Sequence, residues 1–375
     1  MKKVLVTAIV FLLAALVFAG CSQKSDVIKV GVIMPQSGNL TTYGVDTTNA
    51  IRMAAEEYNS MTKGSKIKLI VEDDEGNPEK TKAAYLKLVT QDEVAAIVGP
   101  LTSNCALAVV DSAQSDGVPL ITPTATNDKV TEAGDFIFRS CFIDSFQGYV
   151  VAKFAKETLS AKKAAVLYDV SNDYSSGIAN NFKQSFSAMG GEIVAFESYQ
   201  SGDKDFNAQI TKIAATNPDV LFVPDYYNTV SLIAKQVRSQ GIMVPMLGAD
   251  GWDGIQEVAG AELAPGYFSN HYSPDSDDAD VKAFVEAYQK KYDKVPSALA
   301  ALGYDAMKIL AAAIEKANST DAEAIKKALA ETNGKFVTGQ VSFDEKHNPI
   351  KSAVINEVVP EGDKLVIKYK TTVNP

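Results

Sequence analysis

Apolar positions fall into short β-branched runs that alternate with longer amphipathic stretches along most of the chain. Val27–Met34 is a mostly apolar run stopped by Pro35, and Ile51, Ala54, Ala55 and Tyr58 at helical spacing predict a helix over Val45–Tyr58. A strand follows at Lys66–Val71, then a helix over Pro78–Val89 with proline in its first turn. Further apolar runs stand at Val94–Val98, Pro119–Ile121, Ala164–Leu167, Ile193–Phe196, Val220–Val223 and Met243–Leu247. Helical stretches near 104–115, 145–158, 176–188, 206–215 and 229–239 separate them. Strands alternating with helices of this length predict parallel sheets with helices on both faces. The tail breaks the pattern. Helices over Val281–Tyr292, Ala298–Ala317 and near Ala322–Thr332 precede strands at Val341–Phe343 and Val354–Val359, and Lys364–Tyr369 after Gly362-Asp363 completes a hairpin.

One segment echoes another. DEVAAIVGPLTSN through GVPLITPTATND runs strand, proline-bearing loop, helix, strand, polar loop, and PDVLFVPDYYNT through GIMVPMLGADGWD repeats that order. Each of two lobes is expected to hold one copy. Ligands of open parallel sheets sit beyond the carboxyl ends of strands. Loops 100–104 and 123–127 would then face loops 224–227 and 249–253.

Ahead of these elements, Lys2 and Lys3 precede an apolar run from Val4 to Ala19 broken only by Thr7, which suits a secretory signal. It ends in Val17-Phe18-Ala19-Gly20-Cys21, and small residues before a cysteine resemble the bacterial lipobox, with Phe18 where Leu is usual. Residues 1–20 read as a lipoprotein signal peptide, Cys21 as the lipidated residue and 21–26 as a tether to a membrane. About 350 remaining residues exceed what one core usually holds, so two domains are expected. The chain has 36 basic and 46 acidic residues; the signal takes two lysines and no acid, leaving a formal charge of −12. That balance argues against nucleic acid as a partner. Cys105 and Cys141 are either one disulfide or two buried thiols, and spacing does not decide.

A free amino acid carries a carboxylate and an ammonium on one carbon, so its site needs neutral donors opposite an anion. Leu101-Thr102-Ser103-Asn104 and Thr124-Ala125-Thr126-Asn127 each follow an expected strand. Hydroxyls there cap a helix in the ordinary way, and the same geometry aims N–H groups at an anion. Asp250, in Gly248-Ala249-Asp250-Gly251-Trp252-Asp253, ends the matching strand of the other lobe and is either the acid that pairs with the ammonium or an ordinary loop-turn carboxylate. Tyr43, Tyr174, Tyr226, Tyr227 and Trp252 are loop aromatics suited to closing the pocket. Asp225 sits awkwardly beside them; if it faces the pocket, the ligand side chain would be polar.

VGVIMPQSGNLTTYG, EDDEGNP, AAIVGPLTS, GVPLITPTATN, IFRSCFIDSFQG, AVLYDVSNDYSSG, DFNAQITKI, LGADGWD and VSFDEKHNP, in this order over Ile28 to Tyr369, resemble the periplasmic leucine/isoleucine/valine-type binding proteins of ABC importers. The resemblance implies an α/β fold of two Rossmann-like lobes, the type I periplasmic-binding fold, joined by three crossovers near Phe142–Ser145, His271–Pro274 and Asp344–Asn348. The expected lobes are 27–143 plus 272–343, and 144–271 plus 344–371. It also implies that Ser103 and Thr126 bind the ligand carboxylate and that Thr124 turns a carbonyl to the ammonium. Tyr174 and Tyr226 would line the ligand, Tyr43 and Leu101 its side-chain pocket, and Asp250 takes an acidic position where some members have Glu. Glu75 and Thr102 stand where some relatives have a disulfide, and Leu299 where certain members place Phe. The implied partners are a free amino acid, branched-chain or otherwise small, and the permease subunits of an ABC transporter.

An enzyme is not expected. His271 and His347 are the only histidines and lie far apart, and neither a nucleophile elbow nor a phosphate-binding loop is present. Glu72-Asp73-Asp74-Glu75 lacks the alternating spacing of a calcium loop, and no metal or cofactor is expected. The competing class is a lipid-anchored sensor for amides, sugars or other small solutes, working through a separate membrane partner.

Overall fold

The computed structural model describes residues 27–375 apart from residue 363. The expected signal peptide, the tether with Cys21, and Asp363 of the expected turn lie outside the described residues.

The first half of the chain forms β1 (Val27–Met34), α1 (Thr41–Met61), β2 (Lys66–Asp73), α2 (Pro78–Thr90), β3 (Ala96–Val98), α3 (Ser103–Leu107), α4 (Val110–Asp116), β4 (Leu120–Thr122) and β5 (Ile137–Arg139). Its five strands make one parallel sheet in the order β2-β1-β3-β4-β5. After α5 (Asp144–Lys153) a second sheet begins with β6 (Lys163–Asp169), α6 (Asp173–Ala188), β7 (Glu192–Tyr199), α7 (Asn207–Ala215), β8 (Val220–Phe222), α8 (Tyr227–Ser239), β9 (Met246–Gly248) and β10 (Gly266–Asn270). Counted along the five parallel strands of each sheet, both have the order 2-1-3-4-5, a doubly wound arrangement. The echoing segments fall on the third and fourth strands of the two sheets.

The tail follows as α9 (Ala279–Tyr292), α10 (Ala298–Ala317), α11 (Ala322–Ala330), β11 (Asn333–Phe336), β12 (Gly339–Ser342), β13 (Ala353–Glu361) and β14 (Lys364–Val373). α9 and α10 pack back on the first sheet's helix α1. The Tyr288 hydroxyl donates to the Asp46 carbonyl, and a Cβ on Gly303 would stand 2.5 Å from Thr47 Cγ2. Asp305 in α10 accepts the N–H groups of Val337 and Thr338, which pins the β11–β12 hairpin to the same body. β13 and β14 instead extend the second sheet antiparallel from β10. The chain therefore passes between the sheets three times, between Arg139 and Asp144, between Asn270 and Ala279, and between Ser342 and Ala353. Below, the bodies around the two sheets are the first and second lobes.

Local differences from expectation have physical reasons. The expected helix 104–115 is split at Ala108-Val109, and 145–158 widens into a π-helical turn over Phe154–Thr158. β5, β10 and β11 were not expected, because IFR is short, and GYFSN and NGKF carry no aliphatic residue. Cys105 and Cys141 are both free and buried, so of the two alternatives the thiols hold.

Candidate functional site

The loops after the first, third and fourth strand of each sheet meet across the gap between the lobes. A small, tightly closed cavity lies there. The first lobe lines it with Tyr43, Leu101, Thr102, Ser103 and Thr124, joined by Leu299 from α10. The second lobe supplies Tyr174, Tyr226, Asp250 and Gly251. Seven of the eight expected ligand residues are thus brought together. Thr126, the eighth, is buried but does not line the cavity. Its carbonyl accepts the Asp144 N–H at 2.9 Å, and its hydroxyl lies beside the Asp144 carboxyl.

The first-lobe wall is built of hydroxyls and helix starts. Thr102 caps α3 by accepting the Cys105 N–H at 3.4 Å. The Ser103 hydroxyl accepts the Asn127 N–H at 3.2 Å, and the Thr124 hydroxyl donates to the Leu101 carbonyl at 2.5 Å. These bonds tie the loops after β3 and β4 into one platform.

The second-lobe wall centres on Asp250, only 3% exposed. Its Oδ1 accepts from Gln147 Nε2 at 3.0 Å and from the Tyr174 hydroxyl at 2.9 Å. Its Oδ2 faces His271 Nε2 at 3.0 Å. A carboxylate only accepts, so Nε2 carries the hydrogen; burial lowers the His271 pKa and keeps the ring neutral, more than offsetting the pull of Asp250. The ring stacks on Phe142 with centroids 3.7 Å apart. Nearby, burial first and the Asp250 charge second push the Asp144 carboxyl well above the usual carboxylate range.

The aromatic residues divide. Tyr174 and Tyr226 stack face to face at 5.1 Å, and Tyr43 meets Tyr226 edge-on at 6.2 Å. The Tyr43 hydroxyl donates to the Gly251 carbonyl at 2.5 Å, joining the lobes. Gly251 permits this crowding, since a Cβ there would lie 2.8 Å from both the Asp225 carbonyl and the Tyr174 hydroxyl. Tyr227 does not line the cavity; its hydroxyl donates to the Asn39 carbonyl at 3.1 Å, another contact between lobes. Trp252 is a correction: it is fully buried beneath the second sheet, with Nε1 donating to the Val223 carbonyl at 2.9 Å, and serves packing. Asp225 also turns away, accepting from the Tyr199 hydroxyl and the Tyr226 N–H, with burial raising its pKa to about 7. A polar ligand side chain is not implied by it.

Sequence reasoning missed Gln147, His271, Thr102 and Gly251 as parts of the site. All four lie in segments noted above, but only the fold shows that they converge. Among the described residues no cluster of His, Cys, Asp and Glu could hold a metal ion.

Two doubly wound lobes around a cavity, with hydroxyl loops on one side and a buried acid on the other, define a two-lobed solute-binding protein. The family described as periplasmic binding protein matches residues 27–363, and the chain belongs to it. A Pseudomonas aeruginosa protein that binds leucine, isoleucine, valine, threonine and alanine is 31% identical over 335 residues, covering 88% of this chain and 89% of that one. A leucine-binding protein from Thermotoga maritima has a TM-score of 0.88 at 35% identity, covering 93% of this chain and 99% of that one. The isoleucine complex of a branched-chain amino acid transporter substrate-binding protein from Streptococcus pneumoniae gives 0.83 at 35% identity, with 92% and 99% covered. A solute-binding protein of an ABC transporter from Rhodopseudomonas palustris, solved with 3,4-dihydroxybenzoic acid, gives 0.84 at 25% identity, with 93% and 98% covered. The family is one of solute-binding proteins rather than enzymes, and membership implies a place outside the cytoplasm. Among the described residues no helix is long and apolar enough to cross a membrane.

Proposed function

We propose that this protein captures a free amino acid, branched-chain or otherwise small, between its lobes and hands it to the permease of an ABC importer. The observation that carries this reading is the pairing of one buried carboxylate, Asp250, with a facing wall of hydroxyls at Ser103, Thr102 and Thr124 around an otherwise apolar cavity. The ammonium would lie against Asp250 and the carboxylate against the first-lobe loops, with Tyr43, Leu101 and Leu299 around the side chain. Thr126 would contribute through the loop it belongs to. The binding lobes would be 27–143 plus 272–343 and 144–271 plus 344–371, hinged at the three crossovers. A ligand shifts such a hinge only by the contacts it gains when the lobes close.

The experiment is a thermal-shift screen of the twenty standard amino acids and hydroxylated benzoates. At a hundred times its Kd, a ligand stabilises the folded state by about 2.7 kcal/mol. The largest upward shift is expected with leucine, isoleucine or valine. The aromatic acids form the second reading, favoured by the dihydroxybenzoate-bound relative; a shift with them and none with amino acids would replace the first.

The protein would be held at the membrane by a lipid on Cys21. Cys21→Ser is expected to move it from the membrane fraction to the soluble fraction. Membrane association that persists after this substitution would refute the anchor.

A further inference from the structure

Asp253 stands three residues beyond Asp250 in the second lobe and does not line the ligand cavity. Its buried carboxylate accepts from Asn270 Nδ2 at 2.9 Å through Oδ1. Through Oδ2 it accepts the N–H of Ala298 at 2.9 Å and, more weakly, that of Leu299 at 3.4 Å. Ala298 and Leu299 open α10, which belongs to the first lobe. The start of a helix leaves N–H groups without intrahelical partners and carries partial positive charge. Of these groups in α10, Ala300 is served locally by the Ser297 hydroxyl at 3.1 Å, while the first two are served from the opposite lobe. Beside this contact, Lys294 of the first lobe bridges Asp46 of its own lobe at 2.8 Å and Glu257 of the second at 2.9 Å. The side chain of Leu299 meanwhile lines the cavity.

We propose that Asp253 is the latch of the closed cleft: by capping α10 across the gap it sets how long a ligand stays, without touching the ligand. This rests on the cleft being a ligand site that opens. Separation of the lobes at this point breaks the cap and leaves the first N–H groups of α10 to water, whereas the Ser297 cap is unaffected. Asn at position 253 is nearly isosteric, but its amide presents a donor where Asp253 meets only donors. Proline at position 298 acts from the other side. It suits the first helical position and removes the Ala298 N–H without altering Asp253.

The test is stopped-flow binding of L-leucine, read by the fluorescence of Trp252, the single tryptophan. Asp253→Asn and Ala298→Pro are each expected to raise the dissociation rate about tenfold and to leave the association rate within about twofold. Ser297→Ala is expected to lower the melting temperature of the free protein and leave dissociation unchanged. A dissociation rate unchanged in Ala298→Pro would overturn the latch, even if Asp253→Asn fails to fold. So would a Ser297→Ala rate as fast as that of the other two, since it would show helix stability alone at work. If L-leucine does not bind the natural protein, leucine is not its ligand, and X-ray scattering of the ligand-free proteins decides on the latch. A larger radius of gyration in both variants supports it, and equal radii refute it.

Discussion

Asp250→Ala is expected to weaken amino-acid binding by roughly 150-fold or more while the free protein stays folded. Removing one partner of a buried charge pair typically costs about 3–5 kcal/mol, and about 1.4 kcal/mol is tenfold in affinity. Asp250 is such a partner in waiting. It lies at the cavity wall with three donors, Gln147, Tyr174 and His271, fixing its two oxygens from the protein side. Neutral His271 adds a hydrogen bond but no charge, so an ammonium entering the cavity would be the nearest cation to satisfy the acid. Calorimetric titration with the best amino acid of the thermal screen measures the loss, and an affinity within threefold of the natural protein would remove Asp250 from the site. Asp250→Asn adds a sign. For a zwitterion, losing the charge weakens binding. For an aromatic acid, which has no ammonium, removing a buried anion from the wall would strengthen it. The direction of the Asn effect therefore separates the two ligand classes independently of the screen.

Much of this arrangement was legible because it follows from local pattern. Loops carrying hydroxyls or an acid directly after apolar strands must end at the carboxyl edge of a parallel sheet, so Ser103, Thr124 and Asp250 could be placed on facing edges before any coordinates. What stayed hidden depends on contacts between distant segments. Nothing in the spacing of Gln147, Asp250 and His271 shows that the starts of α5 and of the second crossover converge on one carboxylate. Trp252 failed, and Asp225 stayed undecided, for the opposite reason. They sit in the right loops, but a loop position does not say which way a side chain points. Trp252 turns under Gly248, where any Cβ would strike its ring at 2.1 Å, and Asp225 turns toward Tyr199. Loop aromatics and acids near a site thus divide between ligand and core on side-chain direction alone.

Arg139→Met is expected to lower folding stability by about 3 kcal/mol or more, with Arg139→Lys nearly as damaging. Arg139 ends β5, is completely buried, and forms no ion pair among the described residues. Its guanidinium serves the loop after β4, donating from Nη1 to the Ala125 carbonyl at 2.9 Å and from Nη2 to the Asn127 carbonyl at 3.0 Å and the Thr131 hydroxyl at 3.1 Å. Methionine fills similar volume yet leaves the Ala125 carbonyl unserved, at about 1–3 kcal/mol, and takes a charged donor from the Asn127 carbonyl and the Thr131 hydroxyl, which keep the Val130 N–H and Asn348 as partners, at about 1.5–3 kcal/mol each. Relief of a desolvated charge offsets part of that sum, which is why the expectation stays near its lower end. Lysine keeps the charge but replaces a planar fork with one compact ammonium, which cannot reach several diverging acceptors at once. If Arg139→Lys unfolded in denaturant at the natural midpoint, the charge and not the fork would be what the loop needs. The same loop carries Thr124 to the cavity and accepts Asp144 at Thr126, so its loosening should reach the ligand as well. A fall in affinity is expected alongside the fall in stability, although Arg139 itself does not line the cavity.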